Sequence, residues 1–430
     1  MTETETPLRP LTRLQQGMIA LAMVAMGAGM TINFVVVAPL ARKAGLTEIQ
    51  VAGILTLSTV IYTIMIPIWG RIADRVGRKR VMVFSLFAMG LTNMAFLFAL
   101  SAALAGVVTG MTTFFLLVFV RIWFGLLSPG LQPASMAAMT DATTTMTRAG
   151  GLGMLGAAMS VGSILGPAGA AVLAPYGALV PLWGTIILNI AVGIVLAFVL
   201  PRSRDRMRES RRPKPLSFTD ARVRPHLLFL FIYFVAIGMI QQTLAWFIED
   251  RYQFSELGSQ ALVFTISLGP LIWGIEMTPE SAAVTYTGII FSCLAFSMIV
   301  IQFGYITPRK PDPRRILPIG LSLVTIGYVC ADMFHPFWAM CLSFLVVGAG
   351  AALAVPSANA LGSLSVAREE QGSAAALLAA APPAGFIFGP LIGATLYSIL
   401  PSLPLVASAS VVGILAVYAF AVTARRPLSP

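Results

Sequence analysis

Gly70-Arg-Ile-Ala-Asp74-Arg75-Val-Gly77-Arg78-Lys79-Arg80 sets five cations and one aspartate in a short turn between two long apolar runs. The chain around it is 57% hydrophobic and only 10% charged over 430 residues, whereas a soluble domain carries about 25% charged residues. A basic turn in such surroundings reads as the hairpin between two membrane helices. A hydrocarbon core of roughly 30 Å asks for runs of about 20 apolar residues. Twelve such runs follow from the sequence, at 16–40, 51–70, 80–101, 110–136, 150–173, 178–200, 226–248, 283–305, 316–334, 337–361, 372–397 and 403–424. The fold class expected is an all-α polytopic membrane protein with twelve transmembrane helices in two pseudo-symmetric six-helix bundles. Met1 to Gln15 is polar, and no small-residue cleavage site follows the first run, so no signal peptide is expected.

The 28 Lys and Arg residues set the orientation, because cytoplasmic loops hold the cations. With the N-terminus inside, 24 of them fall in inner segments, and only Arg42, Lys43 and Arg251 fall outside. Arg121 lies within a helix. Both termini are therefore expected in the cytoplasm, with the protein in the cytoplasmic (inner) membrane. The net charge of +11 is then a topology signal and not a nucleic-acid footprint. Cys293, Cys330 and Cys341 lie in or beside apolar runs without metal-ligand spacing and read as core residues, so neither a metal nor a cofactor is expected.

Composition shifts most sharply at Pro201–Pro225, rich in Arg and Pro, which divides the chain into a bundle at 1–200, a basic linker at 201–225 and a bundle at 226–430. An internal repeat supports the division. Gly125, Pro133, Gly162, Gly166 and Pro167 recur as Gly348, Pro356, Gly385, Gly389 and Pro390, all 223 residues later. The basic hairpin recurs only weakly, as Gly304 to Arg315, with prolines in place of its aspartate and second glycine.

The spacing G-x-x-x-D-R-x-G-R-K-R resembles the loop between the second and third helices of the major facilitator superfamily. Gly153, eight residues, Gly162, three residues, Gly166-Pro167 in the fifth run resembles the antiporter signature of its drug-efflux members, with Ala170 and Ala171 in place of the closing glycine pair. Arg121-Ile-Trp-Phe-Gly125 resembles the fourth-helix motif R-x-x-Q-G of proton-linked members, with Phe124 replacing the glutamine. The resemblance is to the 12-helix drug:proton antiporter group. It implies two parallel repeats related by an axis along the membrane normal. It also implies a conformational lock at Gly70, Asp74, Arg75 and Gly77, against the cytoplasmic start of the eleventh run near Gly372-Ser373. Arg78, Lys79 and Arg80 read as cations that fix topology.

Arg121, eleven residues into the fourth run, falls about 16 Å down a helix, close to the bilayer midplane. A cation there is costly and marks a pathway or a coupling site. The alternative is a structural arginine bonded to carbonyls of the first helix. An antiporter also needs a carboxylate that exchanges its proton for substrate. The first run holds none, so Glu249 and Asp250 at the outer end of the seventh run are the proton-coupling candidates, with Asp332 third; the rival reading is a solvated helix end beside Arg251. By resemblance, runs one, four, seven and ten line the central cavity. Their candidate substrate contacts are Asn33, Arg121, Gln132, Gln241, Gln242, Trp246 and Asn359, of which only one of the adjacent Gln241 and Gln242 should face the cavity. That set suits an amphipathic neutral or anionic compound. Ser255–Glu280, with the apolar stretch Leu262–Gly274, is expected as an interfacial or partly re-entrant segment.

Other classes fit poorly. No G-x-x-x-x-G-K-[ST] phosphate loop is present, which disfavours an ATP-driven pump, and the two histidines lie at opposite faces, which disfavours a membrane enzyme. The expectation is a monomeric secondary transporter in the lipid bilayer that exports a small organic molecule against protons, as a multidrug pump or a dedicated metabolite or siderophore exporter. A proton-linked importer and a channel-like facilitator are the alternatives.

Overall fold

The computed structural model describes residues 11–144, 147–201, 217–254, 263–268, 271–367 and 370–424. The linker cations from Arg202 to Lys214, Arg368 and the first ten residues lie outside them. The first unit runs through α1 (Arg13–Lys43), α2 (Glu48–Val76), α3 (Arg78–Leu104), α4 (Gly110–Leu127), α5 (Leu131–Asp141), α6 (Arg148–Leu173) and α7 (Val180–Val199). Then come α8 (Arg224–Tyr252), an antiparallel pair of strands β1 (Val263–Leu268) and β2 (Leu271–Glu276), and α9 (Pro279–Ile301). The chain continues through a π turn and α10 (Thr307–Arg309) to α11 (Pro313–Met333), α12 (Phe337–Ser363), α13 (Gln371–Leu378), α14 (Ala381–Ile399) and α15 (Leu403–Ala424). Thr12 with Gln15, and Thr47 with Gln50, form reciprocal capping boxes that start α1 and α2.

Among the described residues eleven helical spans are long and apolar enough to cross a membrane. The eleventh apolar run is the exception. Pro382 and Pro383 open a new helix there, so 372–397 becomes α13 and α14 joined at Ala379-Ala380. The 19 residues of α14 still measure about 28 Å, enough to complete twelve crossings. The run at 110–136 also divides, at Ser128-Pro129-Gly130, where Pro129 has no backbone N–H to carry on the helical ladder although Ser128 keeps helical angles. Gln132 thus sits at the start of α5 instead of within α4. The segment at 255–280, expected as interfacial or re-entrant, contains a hairpin at 263–276.

Backbone contacts gather Met1–Glu209 with Phe254–Gly288 in one unit, and Ser210–Gln253 with Ile289–Pro430 in the other. The repeat glycines do the same work in each. In the first, Gly27, Gly162 and Gly166 bring α1 onto α6: a Cβ on Gly162 would stand 2.7 Å from the carbonyl carbon of Val24, and one on Gly166 2.7 Å from the oxygen of Ala28. In the second, Gly238, Gly385 and Gly389 bring α8 onto α14, with a Cβ on Gly389 2.7 Å from Val235 O. Gly125 lets α4 meet α2 at Ser58, and Gly348 lets α12 meet α9 at Leu294. Lipid tails are as apolar as leucine, so helix association in a bilayer depends on such backbone approach. The core of the first unit is built on Ile19, Met23, Met26, Met82, Leu86, Met89 and Leu196.

Candidate functional site

Arg121 enters the interior of the first unit from α4 and is 3% exposed. Its Nη2 donates to Asn33 Oδ1 of α1 at 2.6 Å, and Asn33 Nδ2 donates in turn to Gly29 O at 2.6 Å. The guanidinium lies over the Phe96 ring of α3 at 3.9 Å, a cation–π arrangement worth about 2 kcal/mol when desolvated. Among the described residues no carboxylate pairs with Arg121. The expected alternative of bonds to first-helix carbonyls gives way to a side-chain amide.

The residue 223 positions on from Arg121 is Phe344, fully buried on α12. It packs against Tyr328 of α11 at 6.2 Å and Phe291 of α9 at 6.4 Å. The same slot of the repeat therefore holds a phenyl ring in one unit and a cation in the other, so packing alone does not require the charge. Phe96 had no signal in the sequence to set it apart from the other phenylalanines. Near Arg121, Asn189 of α7 is fully buried with neither amide atom hydrogen-bonded, its Nδ2 3.6 Å from where a Cβ on Gly29 would be.

In the second unit the C-terminal end of α8 carries both carboxylates expected to exchange protons. Glu249 is half-buried, with Oε2 shut off from solvent, and Asp250 is exposed. The hydroxyl of Tyr397, on α14, donates to Asp250 Oδ2, and the Tyr397 ring lies 5.7 Å from Trp246. The Arg251 guanidinium donates to the backbone oxygens of Ala331 and Asp332 and lies over the Phe247 ring at 4.7 Å. Asp332, half-buried at the end of α11, enters this cluster through its backbone oxygen.

The remaining candidates scatter. Trp246 and Gln242 are fully buried, and neither amide atom of Gln242 is hydrogen-bonded, whereas Gln241 is half-buried. Asn359 spends its Nδ2 on Val355 O of its own helix at 3.0 Å. Gln132 is half-buried on α5. Within each unit the structure joins Asn33 to Arg121, and Trp246 to Asp250 by way of Tyr397.

At the α2–α3 hairpin, Gly77 has φ 103° and ψ 135°, a conformation that a Cβ would strain, and it both ends α2 and starts α3. A Cβ on Gly70 would stand 3.7 Å from Pro133 Cβ on α5. Asp74 pairs with Arg78 at 3.4 Å, and Arg78 pairs more closely with Asp141 at the end of α5, at 3.0 Å. Arg75 is exposed. Arg78 thus bridges two carboxylates, and Lys79 donates to Leu200 O, roles beyond fixing topology. The signal for the first was Asp141, an isolated acid just beyond an apolar run. The antiporter glycines divide too: Gly162 and Gly166 pack against α1, while a Cβ on Gly153 meets nothing within 4 Å. A further ionic group holds the start of α8 in the second unit. Arg222 donates to Glu370 Oε2 at 2.7 Å and to Asp220 Oδ2 at 2.9 Å, and these hydrogen bonds hold both carboxylates below their ordinary range and push Arg222 up.

Known proteins with similar sequences include several named for drug resistance. Multidrug resistance protein 2 of Bacillus subtilis (strain 168) is 24% identical over 344 residues, covering 77% of this chain and 76% of that one. Tetracycline resistance protein, class D, of Salmonella ordonez is 25% identical over 393 residues, covering 87% and 86%. Among solved structures, a bacterial homolog of the human lysosomal transporter Spinster, in an inward-facing and occupied conformation, matches 96% of this chain and 98% of its own. Its TM-score of 0.69 at 15% identity is a likeness of fold. The profile of the Major Facilitator Superfamily matches residues 18–311 and 274–430, and the chain belongs to that superfamily of membrane transporters.

Proposed function

We propose that the protein exports a small amphipathic organic compound, neutral or anionic, from the cytoplasm by exchange with protons. In this reading it works as a monomer in the cytoplasmic membrane with both termini inside, and it is a carrier rather than an enzyme. The observation that carries the reading is Arg121. A buried cation in a membrane span is costly and is kept where it serves transport. Here the repeat itself offers a phenyl ring for the same slot, at Phe344. Relatives named for multidrug and tetracycline resistance support efflux as the direction. Glu249 and Asp250 are the groups that would hold the proton, and Tyr397 fixes the Asp250 carboxylate. Gly70, Asp74, Arg75 and Gly77 form the lock between states, and Gly153 belongs to the exchange motif. The class of compound extends from multidrug substrates to one dedicated metabolite such as a siderophore.

The test uses purified protein in proteoliposomes with tetracycline inside and an imposed pH gradient. Wild type should release tetracycline only while the gradient stands. Arg121→Lys, which keeps the charge but loses the planar fork, should retain part of the rate, while Arg121→Ala and Arg121→Phe should lose it. Arg121→Phe should remain folded, as the second unit already accommodates that ring. Wild-type efflux indifferent to the gradient would refute proton exchange. Full activity in Arg121→Phe would leave the arginine a packing residue.

A further inference from the structure

The spans of the first unit enclose a single charge. Positions 14–41, 49–70, 81–120, 122–140 and 149–201 hold no Asp, Glu, Lys or Arg, so the acids of α1–α7 are Glu48, Asp74 and Asp141, all at or near helix ends. A buried charge without a counter-charge is far costlier than a paired one, and arginine does not shed its proton to escape that cost. Asn33 takes one N–H of the Arg121 guanidinium and Phe96 covers one of its faces. Nε is closed off from solvent with no hydrogen-bond partner.

Tyr62 of α2 repeats the pattern: its hydroxyl is closed off and unpartnered, and the residue is 6% exposed. Ser58, one turn earlier on the same side of α2, donates to Arg121 O at 3.1 Å and sets α2 against α4 at this level. The Phe124 ring lies 5.5 Å from the guanidinium carbon and stacks on the Tyr62 ring at 6.1 Å. Facing parts of α2 and α4 thus carry two unspent donors and an aromatic surface. Unspent donors beside a fixed positive charge suit a group that only accepts hydrogen bonds, such as an ionised carboxylate or enolate. The rings suit the apolar body that carries it. A cationic cargo would meet Arg121 as a like charge, and a neutral one would leave it unbalanced.

We propose that Arg121 and Tyr62 bind the anionic group of the cargo, so that the exported compound is a monoanionic amphiphile and each exchange for a proton moves two charges across the membrane. The proposal rests on the exchange reading for the count of charges but not for the binding preference, and the two are tested apart. Binding is measured with dansylglycine, a carboxylate, and its neutral amide, on purified protein in detergent at pH 7 in gluconate buffer. Wild type should bind the acid at least about tenfold more tightly than the amide. That ratio should fall to about one in Arg121→Phe and severalfold in Tyr62→Phe, with binding of the amide unchanged, a pattern that loss of packing would not produce. Equal affinity of wild type for the two probes, or no binding of the acid, would overturn the proposal. So would abolition of the preference by physiological chloride, which would assign the donors to an inorganic anion. The charge count is read from proteoliposomes loaded with either probe and given an inside-negative potassium diffusion potential at equal pH. Each charge moved multiplies the limiting gradient about tenfold per about 59 mV, so the acid should reach about a hundredfold and the amide about tenfold. Equal gradients for the two probes would overturn the proposal. Export of the acid that follows the potential at about tenfold and ignores a pH gradient would overturn the exchange reading, while the binding ratio upholds the anion subsite.

Discussion

Replacing Gly162 by alanine would set a Cβ 2.7 Å from the carbonyl carbon of Val24, about 0.7 Å inside the 3.4 Å at which ordinary contact begins. The obstacle is backbone of α1, which no side-chain rotation can move aside. Relief requires α1 and α6 to separate, and that separation also loosens Gly27 against Ser163 and Gly166 against Ala28. A gap of 0.5–1 Å forfeits about a quarter to a half of each dispersion contact, and overpacking typically costs about 1–3 kcal/mol. A unit of this size loses roughly 2–4 °C in Tm per kcal/mol, so Gly162→Ala should melt about 2–12 °C early. Gly385→Ala, whose Cβ would stand 2.5 Å from Phe234 Cβ, should do the same from the second unit. Gly153→Ala meets open space and should leave Tm within about 2 °C. The assay is thermal unfolding in detergent beside gradient-driven efflux in proteoliposomes. If Gly153→Ala keeps its Tm and loses efflux, the glycine belongs to exchange and not to packing. An unchanged Tm for Gly162→Ala would refute the helix approach on which the reasoning rests.

Three other expectations concern charge. Asp250→Asn and Glu249→Gln should lose pH-gradient-driven efflux but still bind tetracycline, and Tyr397→Phe should shift the pH profile of efflux because it removes the hydroxyl that donates to Asp250; full activity in the double acid variant would move the proton site elsewhere. Asp74→Asn should cost under about 1 kcal/mol, because an ion pair with a 46% exposed side chain contributes little, yet it should change cysteine accessibility between the two membrane faces. Unaltered transport and accessibility would dismiss the lock. Asp220 and Glu370 are held below their ordinary values of 3.8 and 4.5 by hydrogen bonds from Arg222, so their tie is complete at neutral pH and lost as pH falls through the lowered values. Glu370→Gln should lower the protection of the amides at 220–224 at pH 7, and wild type should lose that protection only as pH falls below the ordinary carboxylate range; equal protection in both proteins at pH 7 would show that the fork holds nothing.

The spans were legible because a bilayer imposes a length and a composition that few other environments demand. Their interruptions were less so. Pro129-Gly130 and Pro382-Pro383 signalled new helices, but uniform apolar composition on both sides concealed the breaks. The hairpin at 263–276 shows an alternation of period two from Val263 to Leu268, which reading by apolar length alone passes over. Arg121 and Asn33 stood out as polar groups in apolar runs, and the structure joins them. Tyr397 could not be found this way: it reaches Asp250 across 147 positions, and nothing local distinguishes its hydroxyl from any other at a helix end.

The repeat separates scaffold from chemistry. Gly125, Gly162 and Gly166 recur at one offset of 223 as Gly348, Gly385 and Gly389 and seat the matching helix pairs in both units, so their identity reports how a six-helix bundle packs. Where the repeat breaks, the residue answers to something else. Arg121 stands where the second half has Phe344, and the aspartate and second glycine of the α2–α3 hairpin stand where the second half has prolines. Both departures place charge in the first unit, one within α4 and one at the α2–α3 hairpin. Glu249 and Asp250, at the end of α8, belong to the second unit. A carrier built from two copies of one bundle needs such differences to bind a compound that lacks the symmetry of its container. The broken positions are accordingly where changes should alter transport without altering the fold.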